Sequence, residues 1–173
     1  MNKILGQEYF EQSTKKVARD LLGKYLVKKQ KGENQKVMIT ETEAYLGEKD
    51  KACHAYSGKT DRTKVMFGPP GRWYVYLIYG IYDMLNIVTE NEDSGCAVLI
   101  RAAGDYDGPG ILTREMDIDK GYNNKSATKE TGLWIEQGDK NIKNNQVKTT
   151  SRIGVEYAEE WADKPLRFKL KEQ

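Results

Sequence analysis

The chain has 173 residues, of which 38% are hydrophobic and 31% charged, and its formal net charge is +2. That length lets one domain bury a core without staples, and two cysteines, Cys53 and Cys96, with one histidine, His54, are too few for a Cys/His zinc site or a disulfide framework. The opening "MNKILGQEYF" lacks the apolar stretch of a secretory signal, and no run approaches the roughly 18 consecutive apolar residues of a membrane span, so a soluble intracellular protein without metal or cofactor is expected.

Charge is unevenly spread. Residues 1–36 carry 9 Lys/Arg against 4 Asp/Glu, residues 37–108 carry 7 against 11, and residues 109–173 carry 12 against 11. Within the acidic middle, residues 51–72 form a basic island of Lys51, Lys59, Arg62, Lys64 and Arg72 against Asp61 alone. A polyanionic partner is compatible with that island, although the pI of 8.3 lies below the value of about 9 at which charge alone announces nucleic-acid binding.

In chain order, "STKKVARDLLG" predicts a short helix with Ser13 or Thr14 as N-cap, an apolar stripe of Val17, Ala18, Leu21 and Leu22, and a stop at Gly23. "KYLVKK" is strand-like, and "VMITETEAYL" after it reads as a half-buried strand. Strict alternation there puts Val37, Ile39, Glu41, Glu43 and Tyr45 on one side and Met38, Thr40, Thr42, Ala44 and Leu46 on the other. Two carboxylates on an otherwise apolar face are ordinarily solvated ones on an edge strand, unless partners hold them inside.

"GEKDKACHAYSGKTDRT" reads as a long loop with one helical turn, a length that in compact domains accompanies function or mobility. "FGPPGR" is a hard break. Trp73–Ile78 and Tyr82–Val88 are rich in β-formers, and Gly80 between them can take positive φ, which predicts a hairpin with Tyr79 and Ile81 at its tip. "CAVLIRAA" supplies another strand, "DGPGILTREMDI" a turn entering a short helix, "TGLWIEQG" and "PLRFKL" two further strands, and "NIKNNQVKTT" a polar loop. Strands follow one another without crossover helices, which argues for an α+β fold built on an antiparallel sheet and occupying residues 1–173 as one domain.

Several residues stand out chemically. An aromatic on a tight turn, Tyr79, with Ile81 and Tyr82 beside it, forms either an apolar wedge for the minor groove or a tip folded back on the sheet. Arg101 interrupts "AVLIRAA", and a guanidinium near the core needs an anion; Glu43 is the obvious one, and such a pair would keep it ionised and able to accept a proton from water. Tyr45 and Tyr76 could sandwich a planar ring. His54 is either a ring-edge donor or a satisfied polar loop residue, and Asn86 in "DMLNIV" is an amide that needs a use for its hydrogen bonds.

Taken together, "ITETEAYLG", "CHAYSGKTDRTKVMFGPPG", "WYVYLIYGIYDMLNIV", "AVLIRA", "SRIGV" and "WADKPLRF" resemble the alkyladenine (3-methyladenine, N-methylpurine) DNA glycosylases over about Gly6 to Phe168. The resemblance implies a curved, mostly antiparallel sheet, partly open and barrel-like, flanked by short helices, and a monomeric enzyme that flips damaged purine nucleotides from double-stranded DNA without metal or cofactor. By position it makes Glu43 the catalytic carboxylate and Arg101 its partner, Tyr45, His54 and Tyr76 the walls and edge of a base pocket, and Asn86 the guard against the 2-amino group of guanine. Tyr79 becomes the intercalating wedge, with Thr60, Arg62, Ile81, Tyr82 and Lys120 at the DNA backbone or minor groove, while Glu41 receives no role beyond structure. The location implied is the cytoplasm and nucleoid of a prokaryote or the nucleus of a eukaryote.

The chain departs from the family pattern in the short Ala103–Gly108 segment, in Ile111 where lysine is common, and in Asp83 and Thr63; these bear on phosphate contacts and substrate range. Two rival readings remain, a non-catalytic DNA-damage or single-strand binding module on the same surface and a hydrolase of free nucleosides, which would need no wedge.

Overall fold

The computed structural model describes residues 2–172. Nine strands form one open sheet: β1 (Tyr25–Gln30), β2 (Glu33–Leu46), β3 (Trp73–Ile78), β4 (Tyr82–Thr89), β5 (Cys96–Ala103), β6 (Tyr106–Asp107), β7 (Leu133–Glu136), β8 (Val147–Thr150) and β9 (Arg167–Leu170), with the helices α1 (Gln7–Phe10), α2 (Thr14–Asp20) and α3 (Pro109–Glu115). The order is β3-β4-β5-β2-β1-β7, β9 joining β2 and β8 joining β9, and the ladders between these strands are antiparallel. The fold is α+β, as the strand succession predicts.

β2 organises the sheet. Its first half pairs with β1, while residues 41–43 lie between β5 and β9. On one face of the sheet Val17, Ala18, Leu21 and Leu22 from the α2 segment and Leu112 and Met116 from the α3 segment pack against Ile39, Ala44, Trp73, Val75, Leu85, Ile87, Val98 and Ile100. On the other face the segment between β2 and β3 contributes Cys53, Ala55, Val65, Met66 and Phe67, which cover Tyr74, Val88 and Ala97. Burying large aliphatic and aromatic side chains on both faces supplies the main driving force, at about 25 cal/mol per Å² of apolar surface.

Strict alternation fails along β2. The pairings Ile39–Ala103, Glu41–Ala102 and Thr42–Ile100 show one extra residue on each strand, Thr40 on β2 and Arg101 on β5. Each is a β-bulge, which locally reverses the in/out alternation. Val37 and Ile39 therefore face the helices, as do Thr42 and Ala44, whereas Glu41, Glu43 and Tyr45 point the opposite way. The expected apolar company of the two acids is thus corrected: Val37 and Ile39 do not share their face.

"NIKNNQVKTT" is also corrected from loop to a 3₁₀ turn and the strand β8. Val147 and Thr149 stand opposite Leu170 and Phe168, so a polar sequence with two threonines gains an apolar, β-compatible side only through its partner β9. Ser13 holds the N-cap position of α2 without a side-chain cap bond; the Thr14 amide is instead taken by the Glu90 carboxylate at 3.0 Å and the Thr14 hydroxyl pairs with Thr89 at 3.0 Å. Between β3 and β4 the Ile81 amide donates to the Ile78 carbonyl at 3.2 Å, and both Tyr79 (φ 52°) and Gly80 (φ 71°) are left-handed, the backbone of a type I′ turn. Among the described residues no helix is long and apolar enough to cross a membrane.

Candidate active site

Six residues stand in register as one row across the sheet: Tyr74, Asn86, Leu99, Glu43, Arg167 and Thr150, from β3, β4, β5, β2, β9 and β8 in turn. Above the first half of this row lies a pocket of about 170 Å³ whose wall includes Tyr45, His54, Arg62, Tyr76, Asn86 and Arg101, with Ile153, Gly154 and Tyr157 also lining it. Seven residues picked from the sequence meet here, these six and Tyr79, which reaches the pocket from the hairpin tip.

Glu43 has no exposed surface and stands behind the wall formed by Tyr45, Leu99 and Arg101. The Tyr45 hydroxyl donates to its Oε1 at 2.9 Å, the Ile153 amide donates to its Oε2 at 2.8 Å, and the Arg101 guanidinium lies 3.6 Å away. Burial pushes its carboxyl above the usual range, and Arg101, the Ile153 amide and Tyr45 offset only part of that shift. The anticipated pair with Arg101 exists, yet it does not hold Glu43 at an ordinary acidity.

Glu41, two residues earlier, is the more strongly bound acid. Both Arg101 Nε (3.1 Å) and Arg167 Nε (2.6 Å) donate to its Oε1, and Lys169 Nζ is 3.6 Å from its Oε2. Burial raises its carboxyl too, but here the surrounding cations prevail and hold it below the usual range.

Two aromatic walls are set by different neighbours. Tyr45 is packed under the Arg152 guanidinium, 4.8 Å from its ring centre, and Tyr76 lies edge-on to His54 (4.4 Å) and tilted against Tyr74 (5.3 Å), with Arg62 5.4 Å from its ring centre. His54 pairs through Nδ1 with the Tyr74 hydroxyl at 3.0 Å, and burial with the nearby Arg62 charge lowers its pKa to about 4, so the ring is neutral at physiological pH. Burial lifts the Tyr74 hydroxyl to about 12. The buried Asn86 amide donates to the carbonyls of Tyr74 and Met84, each at 3.2 Å, which answers the question of what its hydrogen bonds are for.

The remaining expected residues line the rim and the adjoining surface. Tyr79 is 85% exposed and Ile81 68% exposed at the hairpin tip, so the tip does not fold back. Half-exposed Tyr82 packs on Gly110, where a Cβ would meet its ring at 2.7 Å; the glycine in "GPG" is required by that approach. Thr60, exposed, exchanges hydrogen bonds with Thr63 and opens the turn that carries Arg62. Lys120 is exposed on the 120–122 turn near β3, outside the pocket wall.

Sequence reading missed Asp50 and Arg152. They form a fully buried bidentate pair at 2.6 and 2.9 Å, and Asp50 also accepts the amides of Leu46 and Ala52 while Arg152 donates to the Ala44 carbonyl. This clasp fixes the 151–155 segment against β2, thereby delivering the Ile153 amide to Glu43 and backing Tyr45. The one signal was an arginine inside the quoted "SRIGV"; nothing local marked Asp50 as its partner. Tyr157, exposed on the pocket wall, was also missed.

The family model for methylpurine-DNA glycosylase matches residues 8–107 and 104–173. A Legionella pneumophila (strain Paris) protein named "Putative 3-methyladenine DNA glycosylase" is 44% identical over 179 residues, covering 99% of this chain and 96% of its own. Proteins of the same name from Alkaliphilus oremlandii and Methanocella arvoryzae are each 41% identical, over 97% and 95% of this chain and 96% and 91% of theirs. Near-complete coverage at this identity, together with the family model, places the chain in the methylpurine-DNA glycosylase family.

Proposed function

We propose that this chain is a monofunctional, monomeric DNA glycosylase that flips damaged purine nucleotides, alkylated or deaminated, out of duplex DNA and hydrolyses the N-glycosidic bond with a water activated by Glu43, the first step of base excision repair. The observation that carries the reading is Glu43 itself: a carboxylate of no exposed surface, held between Tyr45, Ile153 and Arg101 next to a pocket of aromatic walls. A pure binding surface gains nothing from an anion aimed at DNA.

The steps follow from the residues. Extruding a nucleotide costs a few kcal/mol, least where the base is damaged or mispaired, and Tyr79 on its left-handed tip fills the gap, with Ile81 and Tyr82 in the minor groove. Thr60, Arg62 and Lys120 meet the backbone; Arg62, which lies over Tyr76 in the free protein, moves off that ring as the base arrives. A cationic alkylated purine between Tyr45 and Tyr76 gains about 0.5–2 kcal/mol that a neutral base does not. His54, its Nδ1 engaged by Tyr74, offers Nε2 to the base edge. Asn86, pinned by two carbonyls, cannot swing aside for the 2-amino group of guanine.

An ionised carboxylate has about four acceptor sites. Tyr45 and Ile153 each occupy one on Glu43, which leaves capacity to take a hydrogen bond and then a proton from the attacking water. The same negative charge stabilises the oxocarbenium-like sugar as the base departs, an alkylated cation leaving as the neutral base and a neutral lesion as its anion, which then takes a proton from solvent. The pocket wall contains no lysine among the described residues, so no Schiff base forms and the strand is left uncut.

Glu43→Gln is the test, on duplexes each carrying one 7-methylguanine, hypoxanthine or ethenoadenine. Release of free base should fall by about 10²–10⁴-fold while duplex binding is kept. A binding module would release nothing in either form, and a nucleoside hydrolase would cleave free ribosides and ignore Tyr79→Ser; either result sinks the reading.

A further inference from the structure

The face that holds the pocket does not end at Glu43. It continues onto β9 and β8, where Lys169 and Lys148 stand opposite each other and Arg167 stands opposite Thr150. These side chains, with Lys171, line a groove whose only acid among the described residues is Glu172. β3, β5 and β9 all run antiparallel to their shared neighbours and hence in one direction, toward the hairpin tip, so Lys169 and Lys171 lie on the tip side of the Glu43 row.

Arg167 and Lys169 are partly neutralised by Glu41. Lys148 and Lys171 are exposed and have no carboxylate within ion-pair distance among the described residues. Like charges directly opposite one another on neighbouring strands repel, and an anion between Lys148 and Lys169 would relieve that repulsion. Four strands lie between β3 and β8, making five steps of about 4.8 Å, so the groove lies about 24 Å across the sheet from the hairpin, or about seven base pairs of duplex at 3.4 Å each. The expected DNA contacts Tyr79, Ile81, Tyr82, Thr60, Arg62 and Lys120 all belong to the β3–β4 side.

We propose that Lys148, Lys169 and Lys171 form a second anchor, gripping the phosphate backbone of the same duplex about seven base pairs from the lesion. This rests on the glycosylase reading above. The anchor carries no base readout, since lysines on a sheet face meet phosphates as point charges; it adds affinity and orients the duplex across the pocket.

The probe is a 25-base-pair duplex with a central abasic-site analogue, its binding measured from 50 to 200 mM salt. The Lys148→Gln/Lys171→Gln protein should show a salt slope shallower by about 2, so that over this range the unmodified protein loses about tenfold more affinity than the variant. Lys29→Gln/Lys140→Gln, which removes equal charge from exposed positions elsewhere, should keep the original slope, and base release from a 25-base-pair duplex carrying one 7-methylguanine, at saturating enzyme, should be equal in all three. An unchanged slope in the Lys148/Lys171 variant, or the same change in the control, overturns the anchor while leaving catalysis intact. Failure of the unmodified protein to release base or to bind the probe overturns the glycosylase reading and the anchor with it.

Discussion

The Asp50–Arg152 and Glu43–Arg101 pairs are both carboxylate–guanidinium contacts in the protein interior, and they are built differently. In the first, both acid oxygens meet both terminal nitrogens at 2.6 and 2.9 Å, and two backbone amides fill the acid's remaining sites. In the second, Arg101 spends its Nε on Glu41 and reaches Glu43 only at 3.6 Å. Taking a charge out of water costs several kcal/mol, and only close, saturated geometry returns it. The closed pair therefore serves as a rivet, whereas the loose one leaves Glu43 with its pKa raised by burial and with acceptor capacity to spare. A site for proton transfer needs the second kind.

Breaking each pair from its arginine should expose that difference. Arg152→Ala strands Asp50 without exposed surface, and removal of one member of a buried pair costs about 3–5 kcal/mol, read by urea denaturation. Arg101→Ala should cost less than half as much, because Glu41 keeps Arg167 and Lys169 and Glu43 can take up a proton instead of remaining an unpaired charge. Equal losses would erase the distinction.

A smaller effect is expected at the aromatic walls. Tyr76→Leu keeps bulk but removes a ring face, so release of cationic 7-methylguanine should slow by about 2- to 30-fold, the equivalent of 0.5–2 kcal/mol, with hypoxanthine, a neutral base, affected less. Measuring both lesions under single-turnover conditions separates lost cation–π attraction from lost packing.

The pH dependence sharpens the contrast between the two acids. In the mechanism proposed above Glu43 is a base only when ionised, so release of a cationic lesion should decline as pH falls through its raised pKa, with the acid limb above that of an ordinary glutamate. Since His54 titrates near 4 and Tyr74 near 12, no further limb from these residues should appear between pH 6 and 9. For stability the signs oppose one another. Glu41, with its lowered pKa, contributes stability present above the ordinary glutamate pKa and lost as pH falls through the folded value. Glu43 binds its proton more tightly folded than unfolded, so its contribution is present at low pH and lost as pH rises through its folded pKa. A profile of base release with an acid limb at or below the ordinary glutamate value would contradict this assignment.

Much of the fold was legible because local signals agreed with tertiary ones. The hairpin around Tyr79–Gly80 and the strand through Arg101 each carry their own turn or pattern residues, as does the helix before Gly23, although it ends at Asp20 and residues 21–23 form the turn that follows. β8 was not legible: Val147–Thr150 has one aliphatic residue, and its strand character comes from lying against Phe168 and Leu170. At the site, residues with unusual chemistry for their setting, Glu43, Arg101 and Asn86, could be singled out, and the family pattern ordered them. Which anion Arg101 would hold most closely could not, because the answer depends on Arg167 and Lys169 arriving from the far end of the chain. Asp50 and Arg152, more than a hundred residues apart, carry no shared local signature either.

The twin bulges at Thr40 and Arg101 make β2 a strand with two phases. Upstream, odd-numbered positions serve the helical core; downstream, even-numbered ones do, and the odd ones face the pocket side. An ordinary register slip, which would exchange the two faces along a uniform strand, is penalised here on both sides of the break, since either half would drive carboxylates into the aliphatic layer or valine and isoleucine out of it. The kink thus works as a register lock, keeping the position of the acid beneath the pocket independent of how well the rest of the strand is paired.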